Sequence, residues 1–269
     1  MKIAKIKELY FEIPDNGVWY SFFNSPYPGH EYGTAIDIYY QDKALFPFEK
    51  GRVTEIKKIK TPQFVSAKVD YLILIEVKEF YLKILHVKPN IKVGEMLYFG
   101  DDIGILIVSG FFRPWSDMHA HFELRDKHDK YRTRGGFLIN PIILKLVPTT
   151  LGNKFRIVER KKEYYWLEPI NKGKKNLTPL TYQSNSIEGG LPYYNYGAIF
   201  EGEDKVKIFR KDIQLTEKLS TGNRLFKTRF NVFANDQLIK GIGIYCNQNK
   251  IKMIGGDFRE DEVVKIRLN

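Results

Sequence analysis

Short runs of alternating apolar and polar side chains constrain this chain more than any other feature. Tyr71-Leu-Ile-Leu-Ile-Glu-Val, Tyr81-Leu-Lys-Ile-Leu-His-Val and Ala120-His-Phe-Glu-Leu carry the two-residue period of a strand, whereas the 3.6-residue period of an amphipathic helix is scarce. Gly and Pro punctuate these runs at Pro26, Pro28-Gly29, Pro47, Pro62, Pro89, Gly94, Gly100 and Gly135-Gly136, the spacing of hairpins in a barrel or sandwich. The expectation is a mainly β protein built from antiparallel sheet. With 269 residues, 43% of them hydrophobic and 14% aromatic, there is material for a sizeable core and for two domains. A boundary is expected at Pro148-Thr-Thr-Leu-Gly-Asn, giving residues 1–148 and a second β-rich domain over 149–269.

The net charge of +11 is unevenly placed. Residues 149–269 hold 22 Lys and Arg against 14 Asp and Glu, so +8 of the excess lies there. In Leu225 to Ala234, Phe226, Thr228, Phe230, Val232 and Ala234 alternate with Lys227, Arg229 and Asn231, which reads as one half-buried strand with a basic outer face. Such a face suits an anionic partner, while a solvated lysine-rich surface is the plainer reading. The single cysteine, Cys246, excludes an internal disulfide and any cysteine-rich metal site. A metal would have to be held by His, Asp or Glu, and there are five histidines. No apolar signal core can be drawn at the N-terminus and no run of 18 apolar residues occurs, so a soluble, cytoplasmic protein without a membrane span is expected.

Four of the histidines fall in patterned segments. On a strand, His119, His121 and Glu123 project together while Ala120, Phe122 and Leu124 point to the core, which holds two imidazoles side by side on a rigid element. Neutral imidazole both ligates zinc and transfers protons near neutral pH, so the pair suits either task; an exposed polar strand face is the alternative. His30 and Asp37 are seven positions apart and would face opposite ways on a straight strand. Joint ligation needs a turn or bulge between them, and Gly33 is well placed for one. His86, in Lys83-Ile-Leu-His86-Val87, lies in an apolar strand, where a lone histidine is ordinarily a satisfied core residue. It is followed by Ile91-Lys-Val-Gly-Glu-Met-Leu-Tyr-Phe-Gly-Asp-Asp-Ile-Gly, a hairpin with paired glycines. His128 sits in a charged turn and reads as solvated. Tyr32, Phe111, Phe112, Trp115 and Met118 flank these segments, either as walls of a groove or as packing.

Taken in order, a His...Asp segment, the turn and strand Phe46-Pro47-Phe48-Glu49-Lys50-Gly51-Arg52-Val53, the His86 strand with its glycine-paired hairpin, and His119-Ala-His-Phe-Glu-Leu-Arg125 resemble the lysostaphin-type zinc endopeptidases over residues 24–126. The His-x-His-Phe-Glu-Leu-Arg segment and the order are the specific elements, while the connecting strands are generic. The seven-residue step from His30 to Asp37 departs from the four of the common pattern. Its form, H-x-x-G-x-A-x-D, is similar to the D-Ala-D-Ala dipeptidase and hedgehog branch, whose later Trp-His element is absent here.

The resemblance implies a duplicated hybrid β motif and a groove floored by antiparallel sheet. It implies one zinc ion on His30, Asp37 and His121 with a fourth, exchangeable position. His86 and His119 would then be the catalytic pair, one accepting a proton from water and the other stabilising the oxyanion, because no HExxH segment supplies a glutamate base. Peptides rich in glycine or containing D-amino acids, as in cell walls, are the implied substrates. A degenerate peptidase fold used for binding is the alternative. A phosphocarrier or biotinyl/lipoyl carrier would need a modifiable lysine at a hairpin tip, where this chain has Glu95-Met96-Leu97.

Overall fold

The computed structural model describes residues 1–15, 17–62, 69–142, 152–171, 178–182, 185–200 and 206–269. Of the boundary segment expected at Pro148-Thr-Thr-Leu-Gly-Asn, Pro148 to Leu151 lie outside the described residues. The chain separates into two compact units, Met1–Phe22 with Tyr27–Ile142 and Phe23–Pro26 with Ile143–Asn269. Four residues of the N-terminal half therefore group with the second unit.

The first unit begins with β1 (Lys2–Ile6), β2 (Leu9–Glu12) and β3 (Trp19–Ser21), then a helical turn α1 (Pro28–Glu31) and β4 (Ile36–Tyr39). It continues through β5 (Lys43–Leu45), β6 (Lys50–Lys60), β7 (Val69–Val77) and β8 (Phe80–Leu85). It closes with β9 (Val87–Pro89), β10 (Met96–Tyr98), β11 (Asp102–Leu106), β12 (Ala120–Arg125) and β13 (Asn140–Pro141). A seven-stranded antiparallel sheet in the order β10-β6-β7-β8-β12-β4-β3 is the main layer. Two three-stranded sheets, β13-β1-β2 and β5-β11-β9, accompany it.

Alternation gives the main sheet two different faces. On one, Ile36, Ile38, Ile73, Ile75, Leu82, Ile84, Ala120, Phe122 and Leu124 are buried and apolar. Phe122 meets Phe11 edge to face at 5.2 Å, and Phe11 meets Phe48 at 5.6 Å. Partners directly opposite in an antiparallel pair share a face. The other face therefore lines up Ser21 with Asp37, Asp37 with His121 and Glu123 with Lys83. Polar groups cannot face an apolar layer without partners, so the strand period that builds the core also gathers the chemistry on the opposite side. The glycine-paired hairpin has a steric reason too. Gly104 lies at φ 156°, and a Cβ there would collide with the Lys88 carbonyl of the neighbouring β9.

In the second unit, an antiparallel sheet runs from Leu215–Lys218 at one end to Gln237–Ile239 at the other, with Gly241–Ile244 and Ile251–Ile254 adjacent near its middle. Phe155, Ile157, Leu167, Ile187, Phe226, Ile242, Ile244 and Met253 are among its core residues. The segment read as one strand from Leu225 to Ala234 is two, Arg224–Lys227 and Val232–Ala234. The reason is a change of partner: the first pairs with Tyr196–Ile199 and the second with Val263–Leu268. The side-chain alternation nevertheless survives, with Phe226, Thr228 and Val232 buried and Lys227, Arg229 and Asn231 exposed.

Candidate metal centre

His30 is placed by α1 rather than by a strand. Pro28 occupies the first turn, Gly33 follows at φ 66°, and Thr34 closes the turn by donating its N–H to the Gly29 carbonyl at 2.7 Å. A left-handed residue is cheap only for glycine, which is how a histidine and an aspartate of opposite strand parity come to converge. His30 Nδ1 donates to the Phe22 carbonyl at 2.7 Å, which fixes the ring with its Nε2 turned toward Asp37 and His121. That atom lies 3.1 Å from Asp37 Oδ1 and 3.3 Å from His121 Nδ1, and His121 Nδ1 lies 2.8 Å from Asp37 Oδ1.

The three atoms form a triangle, and His30, Asp37 and His121 are the residues that could hold a metal ion here. Ligand atoms at about 2.0–2.1 Å from a tetrahedral zinc lie about 3.3–3.4 Å apart, so the edges are close to those of one face of that tetrahedron. The outer groups fit as well. His121 Nε2 faces Glu123 Oε1 at 3.3 Å, and His30 has its carbonyl, the pattern in which a ligating imidazole is oriented through its second nitrogen.

Electrostatics follow from burial and pairing. Burial opposes charge on Asp37, but His119 and His30 outweigh it and hold the carboxyl well below its ordinary range. Burial would likewise depress His121; its bonds to Asp37 and Glu123 prevail and raise it to about 9. The protonated ring and a metal therefore compete for the same nitrogen. Burial lowers His119 to about 4, with Asp37 opposing and His86 adding to the shift. Glu123 is held at about 2, burial being overcome by His121 and Lys83.

The five residues singled out from the sequence come together, and each ring has a distinct setting. His119 Nδ1 donates to the Asp117 carbonyl at 2.8 Å, and Nε2 lies 3.5 Å from Asp37 Oδ2. Its ring is part of a row: Trp19 stacks on Tyr39, Tyr39 lies 5.1 Å from His119, and Phe112 stacks on His119 at 4.5 Å. His86 follows β8 and, by alternation from Leu85, would turn to the core. A left-handed backbone at φ 67° instead brings its ring 5.2 Å from His119 and 6.0 Å from His121. Of the flanking residues, Phe112 is buried against both catalytic candidates and Phe111 lies 6.3 Å from His86. Tyr32 and Met118 are exposed, Tyr32 beneath the Arg134 guanidinium. His128 is exposed in its turn.

Sequence reading passed over a second layer. Lys83 donates to Glu123 Oε1 at 2.7 Å and to Tyr27 Oη at 2.9 Å, and Arg125 donates to Glu123 Oε2 at 2.8 Å. Asp70, buried at the start of β7, accepts from His86 Nδ1 at 2.5 Å and from Ser109 Oγ at 2.6 Å. The signal was present in both cases: Asp70 and Lys83 are charged residues beside long apolar runs of their strands, where an ionised side chain is tolerated only with a partner.

Residues 11–141 match the family model described as Domain of unknown function (DUF8155) N-terminal domain, and residues 147–269 match the DUF8155 C-terminal domain. No curated protein and no solved structure matches the chain. The two models follow one another over nearly its whole length, and the chain belongs to the DUF8155 family.

Proposed function

We propose that the first unit is a zinc-dependent peptidase in which His30, Asp37 and His121 hold the ion while His86 and His119 manage the proton and the oxyanion. The observation that carries this reading is the buried triangle of His30 Nε2, Asp37 Oδ1 and His121 Nδ1, with edges of 2.8–3.3 Å. A zinc ion held there would supply Lewis acidity toward a peptide carbonyl and toward water. The chain's own part is to orient the ligands through the Phe22 carbonyl and Glu123, and to keep two further imidazoles beside them in an apolar wall formed by Phe112 and Tyr39. The lysostaphin-type resemblance of residues 24–126 supports peptides of cell-wall type, or containing D-amino acids, as the substrate class.

For the second unit, the exposed Lys227 and Arg229 support an anionic partner. No helix of the described residues is long and apolar enough to cross a membrane.

Metal analysis of the purified protein tests the central reading. About one zinc per chain is expected, lost in His30→Ala, Asp37→Ala and His121→Ala because each removes a ligand. Undiminished zinc in His121→Ala would sink the ligand assignment. Zinc bound stoichiometrically without cleavage of a library of glycine-rich and D-alanine-containing peptides would favour a binding module on the same fold.

A further inference from the structure

Beside the ligand triangle lies a carboxylate that the ligand set does not use. Asp70 is fully buried and its oxygens divide their work. Oδ1 accepts two backbone N–H groups, from Tyr71 at 2.6 Å and from His86 at 2.9 Å. Oδ2 accepts two side chains, His86 Nδ1 at 2.5 Å and Ser109 Oγ at 2.6 Å. Ser109, also fully buried, accepts the Phe111 N–H on the same hydroxyl at 3.2 Å. A continuous hydrogen-bonded path thus runs from Phe111 N–H through Ser109 and Asp70 to the His86 ring. The neighbouring Phe112, whose N–H donates to the Ser109 carbonyl at 3.0 Å, packs edge-on against His86 at 4.8 Å.

We infer that Asp70, held by Ser109, is a positioning residue that fixes His86 as the Nδ1–H tautomer and so makes its Nε2 the proton acceptor of the site. This rests on the peptidase reading above. A carboxylate can only accept at Nδ1, which obliges that nitrogen to carry the proton, so that in the neutral ring the lone pair is on Nε2. The two histidines differ in what stands behind them. His119 has the neutral carbonyl of Asp117 at its Nδ1, whereas His86 has an anion that stabilises the positive charge the ring acquires on taking a proton.

In the reaction, one O–H bond of water breaks and its proton passes to His86 Nε2 as the oxygen bonds the peptide carbon and the carbonyl π pair moves onto the carbonyl oxygen, to return when the amine leaves. The C–N bond then breaks, the amine takes the proton, and the imidazole returns to neutrality. The left-handed backbone at His86 has a reason in this scheme: the N–H that the kink frees and the ring Nδ1 are both taken up by the same carboxyl group.

The rival is that Asp70 only staples the kinked backbone. Asp70→Asn separates the two, because Asn keeps an oxygen for the Tyr71 and His86 N–H groups but sets an amide donor opposite Nδ1. Long-range proton–nitrogen NMR of the ¹⁵N-histidine-labelled full chain reads the tautomer directly and needs neither metal nor substrate. The expected result is Nδ1 protonated and Nε2 bare in the wild type, with the Nε2–H tautomer appearing in Asp70→Asn.

On the peptide that the wild type cleaves, Asp70→Asn should lower kcat by at least about 10²-fold with KM and zinc content unchanged. Ser109→Ala, the milder change should Asp70→Asn fold poorly, should lower kcat about tenfold. An unchanged tautomer with unchanged kcat in both variants would overturn the inference, as would an Nε2–H tautomer in the wild type. A wild type that holds zinc but cleaves nothing would defeat the peptidase reading and the acceptor role with it, while the tautomer measurement would still judge what Asp70 does to His86.

Discussion

Replacing Glu123 tests whether the second layer beneath His121 is a coupled unit. Glu123 is 1% exposed, Lys83 2% and Arg125 0%, so removing the carboxylate leaves Lys83 buried without its counter-charge, while Arg125 keeps Asp129 at 3.0 Å. Its carboxyl is held at about 2 against an ordinary 4.5, after burial has worked in the other direction. That difference corresponds to about 3 kcal/mol in favour of the ionised, paired form. Breaking a buried pair by deleting one partner costs about 3–5 kcal/mol by independent experience.

The two cations respond differently. Burial already lowers Lys83 in spite of Glu123, so an unpaired Lys83 can shed its proton, whereas Arg125 cannot. Glu123→Ala should therefore cost about 3–5 kcal/mol in urea unfolding of the metal-free protein, and Glu123→Gln, which keeps an acceptor, should cost less. Zinc affinity, measured separately, should fall by about 10–100-fold in both because the His121 ring loses its carboxylate. The acid side has a defined sign. The folded carboxyl lies below the unfolded one, so the pair's contribution is complete above about 4.5 and disappears as the pH falls toward about 2. The Gln variant should show a flatter stability profile across that window. A loss under about 1 kcal/mol in Glu123→Ala would refute the coupled network.

His86→Ala and His119→Ala should each retain zinc and lower peptide hydrolysis by at least about 10²-fold. Loss of metal in both would mean that ligand and catalyst roles are exchanged. Gly104→Ala forces a Cβ against the Lys88 backbone and should cost more than about 1 kcal/mol in thermal unfolding; a neutral result would contradict the packing of β11 on β9. Lys227→Glu combined with Arg229→Glu should lower the salt concentration at which the protein elutes from a polyanionic column, and an unchanged elution point would discard the anionic-partner proposal for that face.

Much of the fold is local in origin and was legible in residue order. Period-two alternation makes β12 apolar on one side through Ala120, Phe122 and Leu124, and that alone puts His119, His121 and Glu123 on the other. The strands, their antiparallel arrangement and the grouping of two imidazoles follow from that period together with the glycine and proline breaks. Alternation cannot report where it is interrupted. His30 reaches Asp37 through a helical turn closed at Gly33, and His86 reaches His119 through a left-handed kink. In both cases a residue's direction is set by a backbone dihedral that has no periodic signature. Nor does a run of alternating residues name its partner strands, which is why Leu225 to Ala234 reads as one strand and is two.

The widest gap lies between pairs far apart in the chain. Asp70 and His86 are 16 residues apart, Asp70 and Ser109 39, and Lys83 and Glu123 40. The sequence by itself determined that Asp70 and Lys83 sit among apolar strand residues and must find a partner. Only the tertiary structure decided which partner, because strand order and register bring Glu123 opposite Lys83 and fold Ser109 onto Asp70, and the ion pair and hydrogen bonds form only once that pairing exists.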